Sequence, residues 1–414
     1  MKVFKFGGAS IKDAQSIRNT AHIIQQHSRQ PLLVVVSALG KTTNALEHIL
    51  KLHSASADYR EAFDLLQAQH LAIMQELFYE EHPVFEQVEA IWQEAASCLE
   101  NIEDNDERYA AFVCAGERCS SQIVQAFMQD AGLAIELIDA REFIVSDSKF
   151  REASVNWDKT YENILPLRTT LETKIIVTQG FIAADEAGKT STLGREGSDF
   201  TAAIFAYCLD AESVVIWKDV PGIMNADPKR IAAASVFEEL PYKQAAEMTY
   251  YGASVIHPKT IKPVANKKIP LFVKSFENPA LPGTIIHDCH LDNWPPVIVF
   301  KEDQCLISCK VTDYTFINET QLSKIFQAIS ASDVRINLMQ NSAISFSFCI
   351  DFTESKLKKL IDYLQHDFEI YYNTGLQLVT VKHYDEQTYN TYRNKAGVML
   401  EQASRTTLQV LISP

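Results

Sequence analysis

Several familiar signatures are missing from this chain. No CxxC pair occurs among its eight cysteines. That argues against a disulfide framework and against a structural zinc site of the paired-cysteine kind. Cys305 and Cys309, separated by three residues, lie on an apparent strand. No apolar run is long enough for a membrane span, and no basic leader precedes an apolar stretch at the N-terminus. The expectation is a reducing cytoplasm with buried thiols. Neither the GxxxxGK[ST] spacing of a P-loop nor the glycine fingerprint of a dinucleotide fold is present. A basic surplus is absent too. The formal net charge of −15 opposes binding to nucleic acid or to an anionic membrane.

What is present fits a soluble protein of two or three domains: 414 residues, 47% apolar and 22% charged. The stretch Gly188 to Arg230 organises the rest. It passes from small and hydroxylated residues with one arginine to an apolar helix, about Phe200 to Leu209. A buried strand follows, Ser213 to Trp217, and then a polar turn with Asp219, Gly222 and Asp227. Helix N-termini attract anions, and ligands of open α/β sheets sit beyond the carboxyl ends of strands. Phosphate and substrate chemistry is expected here.

Upstream, Lys2 to Phe6 reads as a strand followed by Gly7-Gly8-Ala9-Ser10. Lys5 is either a surface lysine on an edge strand or a cation aimed at a phosphate; the adjoining glycines favour the second. Pro31 to Ser37 is an uninterrupted apolar run, as in a parallel strand buried on both faces. A helix starts near Ala45, and Thr42 or Thr43 is its N-cap or a hydroxyl that reaches substrate. From Ser56 to Leu133 the apolar spacing is helical; REAFDLLQAQHLAIMQELF and VFEQVEAIWQEAASCLENI read as partly an insertion over one edge of the sheet. His53, His70 and His82 read as surface residues, and Glu117 as a solvated helix carboxylate. Ala134 to Ile138 and Lys174 to Thr178 are further strands, and Phe181 to Leu193 is a hairpin that could act as a lid. A helix over Lys243 to Tyr251 ends at Gly252, and Pro270 to Lys274 is the last strand of this domain. The alternation over residues 1 to 288 implies a largely parallel α/β sheet.

Asp292-Asn293-Trp294-Pro295-Pro296 marks a boundary. Residues 300 to 374 then read βαββαβ, the ferredoxin-like order. Residues 375 to 414 begin a second such unit: a strand (Leu376 to Val381), a helix (about Gln387 to Gln402) and a strand (Thr407 to Leu411).

Taken together, KFGGAS at Lys5, VSALGKTTN at Val36, GER at Gly116, LGREGSDFTA at Leu193, WKDVPGI at Trp217, DPK at Asp227 and EMTYYGASVIHP at Glu247 resemble the aspartate kinases. The order and spacing match across residues 1 to about 287, and the tail is similar to the family's ACT regulatory domains. The resemblance implies the amino acid kinase fold, a three-layer α/β/α sandwich, followed by a ferredoxin-like ACT region. It implies transfer of the γ-phosphoryl of MgATP to the side-chain carboxylate of L-aspartate, the step that opens lysine, threonine and methionine synthesis.

By that resemblance Lys5 steadies the migrating phosphoryl group and Asp199 holds Lys5 charged. Gly7, Gly8 and Ala9 admit phosphates to backbone amides. Arg195 clamps the substrate α-carboxylate, Glu117 accepts from its ammonium, and Thr42, Ser198 and Ser37 complete that side. Lys218, Asp219, Met224, Lys229, Ser254 and Val255 align with the nucleotide contacts. No residue is assigned as a metal ligand, since ATP phosphates supply most of the magnesium shell. Met224 stands where tyrosine is usual, Lys229 where arginine is usual, and Ser254 where some members carry lysine, which implies altered nucleotide binding. The usual glycine-phenylalanine pair is missing from Thr315 to Ser323, so the tail is expected to be a homodimer interface at least as much as an amino-acid sensor. The rival readings are a glutamate 5-kinase or N-acetylglutamate kinase, and a catalytically weakened amino-acid-binding regulator.

Overall fold

Apolar runs such as Leu32–Val36 can be buried only where both faces of their sheet are covered. In the computed structural model, which describes residues 1–253, 256–312 and 316–413, these runs lie inside an eight-stranded sheet. Its order is Ile135–Ile138, Ile175–Gln179, Leu32–Val36, Lys2–Phe6, Ser213–Lys218, Leu271–Ser275, Thr284–His287, Glu239–Pro241. The first six strands are parallel, and Thr284–His287 runs antiparallel to Leu271–Ser275. Leu271–Ser275 is therefore not the last strand of this unit. The two extra strands are three and four residues long, too short to stand out as apolar runs.

Lys2–Phe6 is central rather than an edge. Alternation sends Phe4 and Phe6 to one face. There Phe6 stacks on Trp217 with ring centroids 5.9 Å apart, and the cluster continues into helices Ala14–His27 and Asn105–Asp130. Helix Asn105–Asp130 thus belongs to the main core; Asp104 caps it by accepting from the amides of Asp106 and Glu107. The opposite face carries Val3 and Lys5, and helix Gly197–Leu209 packs there. Lys5 lies in register with Val35 and Ile216 and is only 8% exposed.

Three expectations about this unit change. His70 is buried, not at the surface. Its Nδ1 donates to the Leu66 carbonyl at 2.9 Å, and Thr42 Oγ1 lies 3.4 Å from its Nε2. Burial lowers its pKa, so the ring is neutral and Nε2 accepts from Thr42. Neither Thr42 nor Thr43 caps the helix Thr42–Ser54; its N-cap is Lys41, with no side-chain bond. Glu117 is buried rather than solvated. Strands Ile182–Asp185 and Thr190–Thr192 form the hairpin and join Val145–Ser146 in a three-stranded sheet.

A second unit comprises residues from Leu291 onward, with Met224–Ser235 and the end of helix Tyr242–Tyr250 from Glu247. It is a six-stranded antiparallel sheet in the order Ile336–Asn341, Ser345–Asp351, Val297–Lys310, Glu369–Lys382, Thr407–Ile412, Val398–Ala403. The first four strands have the ferredoxin-like arrangement, with helices Glu319–Ala331 and Glu354–Leu364 closing a core around Phe346, Phe348 and Leu360. Asn318 starts the first helix with a complete capping box to Gln321. Two differences from expectation concern the end of the chain. Glu369–Lys382 is one continuous strand where two were expected, crossing residue 374. The last helix stops at Arg393, and Val398–Ala403 is a strand. Gly397 at φ 80 turns the chain between them, and a Cβ there would lie 2.6 Å from the Ser413 carbonyl oxygen.

Candidate active site

Lys2–Phe6 lies between Leu32–Val36, the next strand in sequence, and Ser213–Lys218, which comes much later. Sheet order reverses at this point, and ligands of open α/β sheets bind outside the strand ends there. A cavity of about 770 Å³ opens beyond these ends, lined by Lys5, Ser37, Glu117, Arg195, Ser198, Asp199 and Lys218 among others.

Glycine shapes the floor. A Cβ on Gly8 would lie 2.4 Å from the Gly40 carbonyl oxygen, so only glycine lets the two loops close. The Gly40 amide then donates to the Gly8 carbonyl at 3.0 Å. A Cβ on Gly7 would stand 3.3 Å from Nζ of Lys5. Ala9 is exposed.

Helix Gly197–Leu209 enters from the opposite side, with Ser198 and Asp199 in its first turn. Oδ1 of Asp199 lies 2.6 Å from Nζ of Lys5, and Oδ2 lies 3.5 Å from Nζ of Lys218. Asp199 is 2% exposed. Burial alone would push its pKa up, but the Lys5 and Lys218 charges outweigh it and hold the carboxyl below its ordinary range. Two ammonium groups on adjacent strand ends thus share one carboxylate, leaving a net positive centre suited to phosphate oxygens.

Glu117 has the opposite electrostatics. It is 3% exposed, and its Oε2 is a buried atom with no hydrogen-bond partner among the described residues. Burial raises its pKa to about 8, against the pull of its own amide, the Ala38 amide and the Lys5 charge. Such a carboxyl is suited to a cationic partner. Arg195 on the same cavity is exposed, and no ion pair engages it among the described residues. One wall therefore offers a carboxyl to an ammonium, and another a planar cation to a carboxylate.

Thr42 is not among the lining residues; its hydroxyl turns to His70, and Thr43 and Asn44 take the wall instead. Asp219 follows Lys218 and is exposed. Met224, half-buried, and Lys229, exposed, fall in the stretch that clusters with the second unit. Ser254 and Val255 lie outside the described residues. Sequence reasoning missed Tyr109, whose hydroxyl donates to Glu47 at 2.8 Å and whose ring lies 3.9 Å under the Arg151 guanidinium; all three line the cavity. It also missed Glu196, which takes a left-handed φ of 54 and has a buried Oε2 without a hydrogen-bond partner among the described residues. Glu196 adjoins Arg195, and that adjacency was the available signal. The Tyr109 cluster is scattered over more than a hundred residues and leaves no pattern.

Comparison with known proteins places this geometry. Residues 1–275 match the amino acid kinase family. The lysine-sensitive aspartokinase 3 of Escherichia coli (strain K12) is 30% identical over 363 residues, 85% of this chain and 79% of that protein. The crystal structure of E. coli aspartokinase III in complex with aspartate and ADP (R-state) matches with a TM-score of 0.85. That in complex with lysine and aspartate (T-state) matches at 0.81. Both are 26% identical and cover 100% of this chain and 96% of the other. The strand ends, the glycine floor and the helix that carries Asp199 all fall within the matched span, and the chain belongs to the amino acid kinase family, among the aspartokinases.

Proposed function

We propose that this enzyme is an aspartate kinase that moves the γ-phosphoryl of MgATP onto the side-chain carboxylate of L-aspartate, giving 4-phospho-L-aspartate. The observation that carries the reading is the single cavity in which Lys5 and Lys218 converge on Asp199 while Glu117 and Arg195 face the same space. An amino acid offers the charge pair those two residues complement. E. coli aspartokinase III has been crystallised with aspartate and ADP.

The acceptor is a carboxylate at neutral pH, so no general base is required. Catalysis reduces to alignment and charge neutralisation. Lys5 and Lys218 supply positive charge to the phosphoryl oxygens, and Asp199 holds Lys5 in place. Arg195 grips the α-carboxylate, Glu117 the α-ammonium, and Ser37 and Ser198 offer hydroxyls beside them. Gly7, Gly8 and Ala9 leave backbone amides accessible to phosphate. The nucleotide contacts that the resemblance carries over to this chain are Lys218, Asp219, Met224, Lys229, Ser254 and Val255. Magnesium arrives with ATP, as part of that substrate. We assign the ferredoxin-like tail to a homodimer interface of the ACT kind, and the enzyme to the cytoplasm. No helix among the described residues is long and apolar enough to cross a membrane.

Trapping the product with hydroxylamine tests the reading. ATP with L-aspartate should give aspartyl hydroxamate, whereas glutamate and N-acetylglutamate should give none. Hydroxamate from either alternative, or none from L-aspartate, contradicts it.

A further inference from the structure

Away from the cavity, three side chains of different chemistry converge at the edge of the first unit's sheet. Glu239 lies on the edge strand Glu239–Pro241, which pairs in parallel with Thr284–His287. Glu239 is in register with Ile285, so His287, two residues on, projects from the same face. Nε2 of His287 lies 2.9 Å from Oε2 of Glu239. The chain then turns: the Cys289 amide donates back to the His287 carbonyl at 3.1 Å. One donor atom from each of Glu239, His287 and Cys289 lies within 4.8 Å of the other two, and all three side chains are half-buried.

From this convergence we propose that Glu239, His287 and Cys289 form a binding site for Zn²⁺, with the fourth position left to water. The spacing fits. Zinc binds thiolate sulfur at about 2.3 Å and imidazole nitrogen or carboxylate oxygen at about 2.0–2.2 Å, in a tetrahedron, so its ligand atoms stand roughly 3.5 Å apart. The donor set fits as well. A thiolate with an imidazole and a single carboxylate suits a borderline-soft ion and not Mg²⁺ or Ca²⁺, which take oxygen shells. Carboxylate, thiolate and neutral imidazole balance the two charges of the ion. Coordination forms the Zn–S bond as the thiol proton leaves to solvent, with no change of oxidation state. A lone ion pair of His287 with Glu239 accounts for two of the three groups but not for the thiol beside them. Glu239 lies far upstream of the His287-Asp288-Cys289 stretch, so no CxxC-like spacing announces the site.

The site also has a place in the architecture. The first unit ends at His290 and the second resumes at Leu291, so the ion would fasten the outermost strand to the turn by which the chain leaves the first unit. Asp288, between two of the ligands, pairs instead with Lys268 at 3.0 Å. An ion that binds only the folded unit stabilises it by mass action.

The test is a Co²⁺ titration of the full-length, chelator-treated protein. At one equivalent a thiolate-to-cobalt charge-transfer band and strong tetrahedral visible bands should grow together, and Zn²⁺ should abolish both. Cys289→Ser should lose the charge-transfer band, and His287→Ala should weaken binding at least tenfold. Zn²⁺ should raise the melting temperature of the wild type and leave that of either variant unchanged, with far-UV circular dichroism checking the fold. Absence of the charge-transfer band, its survival in Cys289→Ser, or an equal melting shift in wild type and variants overturns the site. None of these readouts depends on phosphoryl transfer.

Discussion

The Lys5 ammonium sits 2.6 Å from the Asp199 carboxylate, joining the carboxyl end of the central strand to the first turn of a helix almost two hundred residues later. Both partners are buried. Removing one side of such a pair strands the other charge in a poor solvent, which typically costs about 3–5 kcal/mol. Asp199→Asn should therefore lower stability by about that amount in denaturant titrations, as well as slowing turnover. The pair also sets an acid limb. The Asp199 pKa is held below its ordinary value of 3.8, so its contribution is complete above 3.8 and is lost as pH falls through the depressed folded value. The same Asp199→Asn variant should flatten that limb, and an unchanged acid unfolding curve would contradict the pairing.

Glu117 predicts a proton signal. With a pKa raised to about 8 by burial, its carboxyl is mostly protonated at pH 7. An amino acid's ammonium should expel that proton, so titration calorimetry near pH 7 should give enthalpies that change with the buffer's ionisation enthalpy, corresponding to about one proton released. Stability follows the same group with the opposite sign to Asp199. The folded state retains the proton between the ordinary 4.5 and about 8, so this contribution falls as pH rises across that window. Glu117→Gln should remove both effects. Buffer-independent enthalpies would contradict the role.

Arg195 is exposed and unengaged by any ion pair among the described residues, so Arg195→Ala should leave the melting temperature nearly unchanged. Loss of charged hydrogen bonds worth about 1.5–3 kcal/mol should raise the aspartate concentration for half-saturation roughly ten- to a hundredfold. Kinetics at varied aspartate and fixed ATP would show it, and an unshifted aspartate requirement would contradict the clamp.

Met224 lacks the flat ring and hydroxyl that the resemblance leads one to expect at its position. Met224→Tyr should tighten ATP binding several-fold through stacking worth about 0.5–1.5 kcal/mol. Nucleotide titration in the absence of aspartate would measure it, and unchanged affinity would remove Met224 from the nucleotide side.

Legibility followed the strength of local signals. Leu32–Val36 and Ser213–Lys218 could be read because five or six consecutive apolar-rich residues admit little else. Lys5 as an interior cation rested on the glycines behind it and on the resemblance. Glu239–Pro241 and Thr284–His287 escaped because such short strands are fixed by their neighbours. Val398–Ala403 is a strand where the sequence reads as helix to about Gln402, because no local pattern separates it from the helix before the turn at Gly397. His70 reads as a surface residue because its sequence neighbours give no sign that Leu66 and Thr42 will satisfy both ring nitrogens. Thr42 and Thr43 differ only in which way the first turn of their helix rotates, a property of packing against His70 and Gly116.

The most direct measurement is the division between binding and turnover in Lys5→Ala. ADP formation should fall by at least about a hundredfold, the scale for losing one preorganised charge in a transition state, while calorimetry still records aspartate binding within a few-fold of wild type. Near-normal ADP formation, or loss of aspartate binding in a variant that remains folded, would contradict the assignment of Lys5 to the phosphoryl group and of Arg195 and Glu117 to the amino acid.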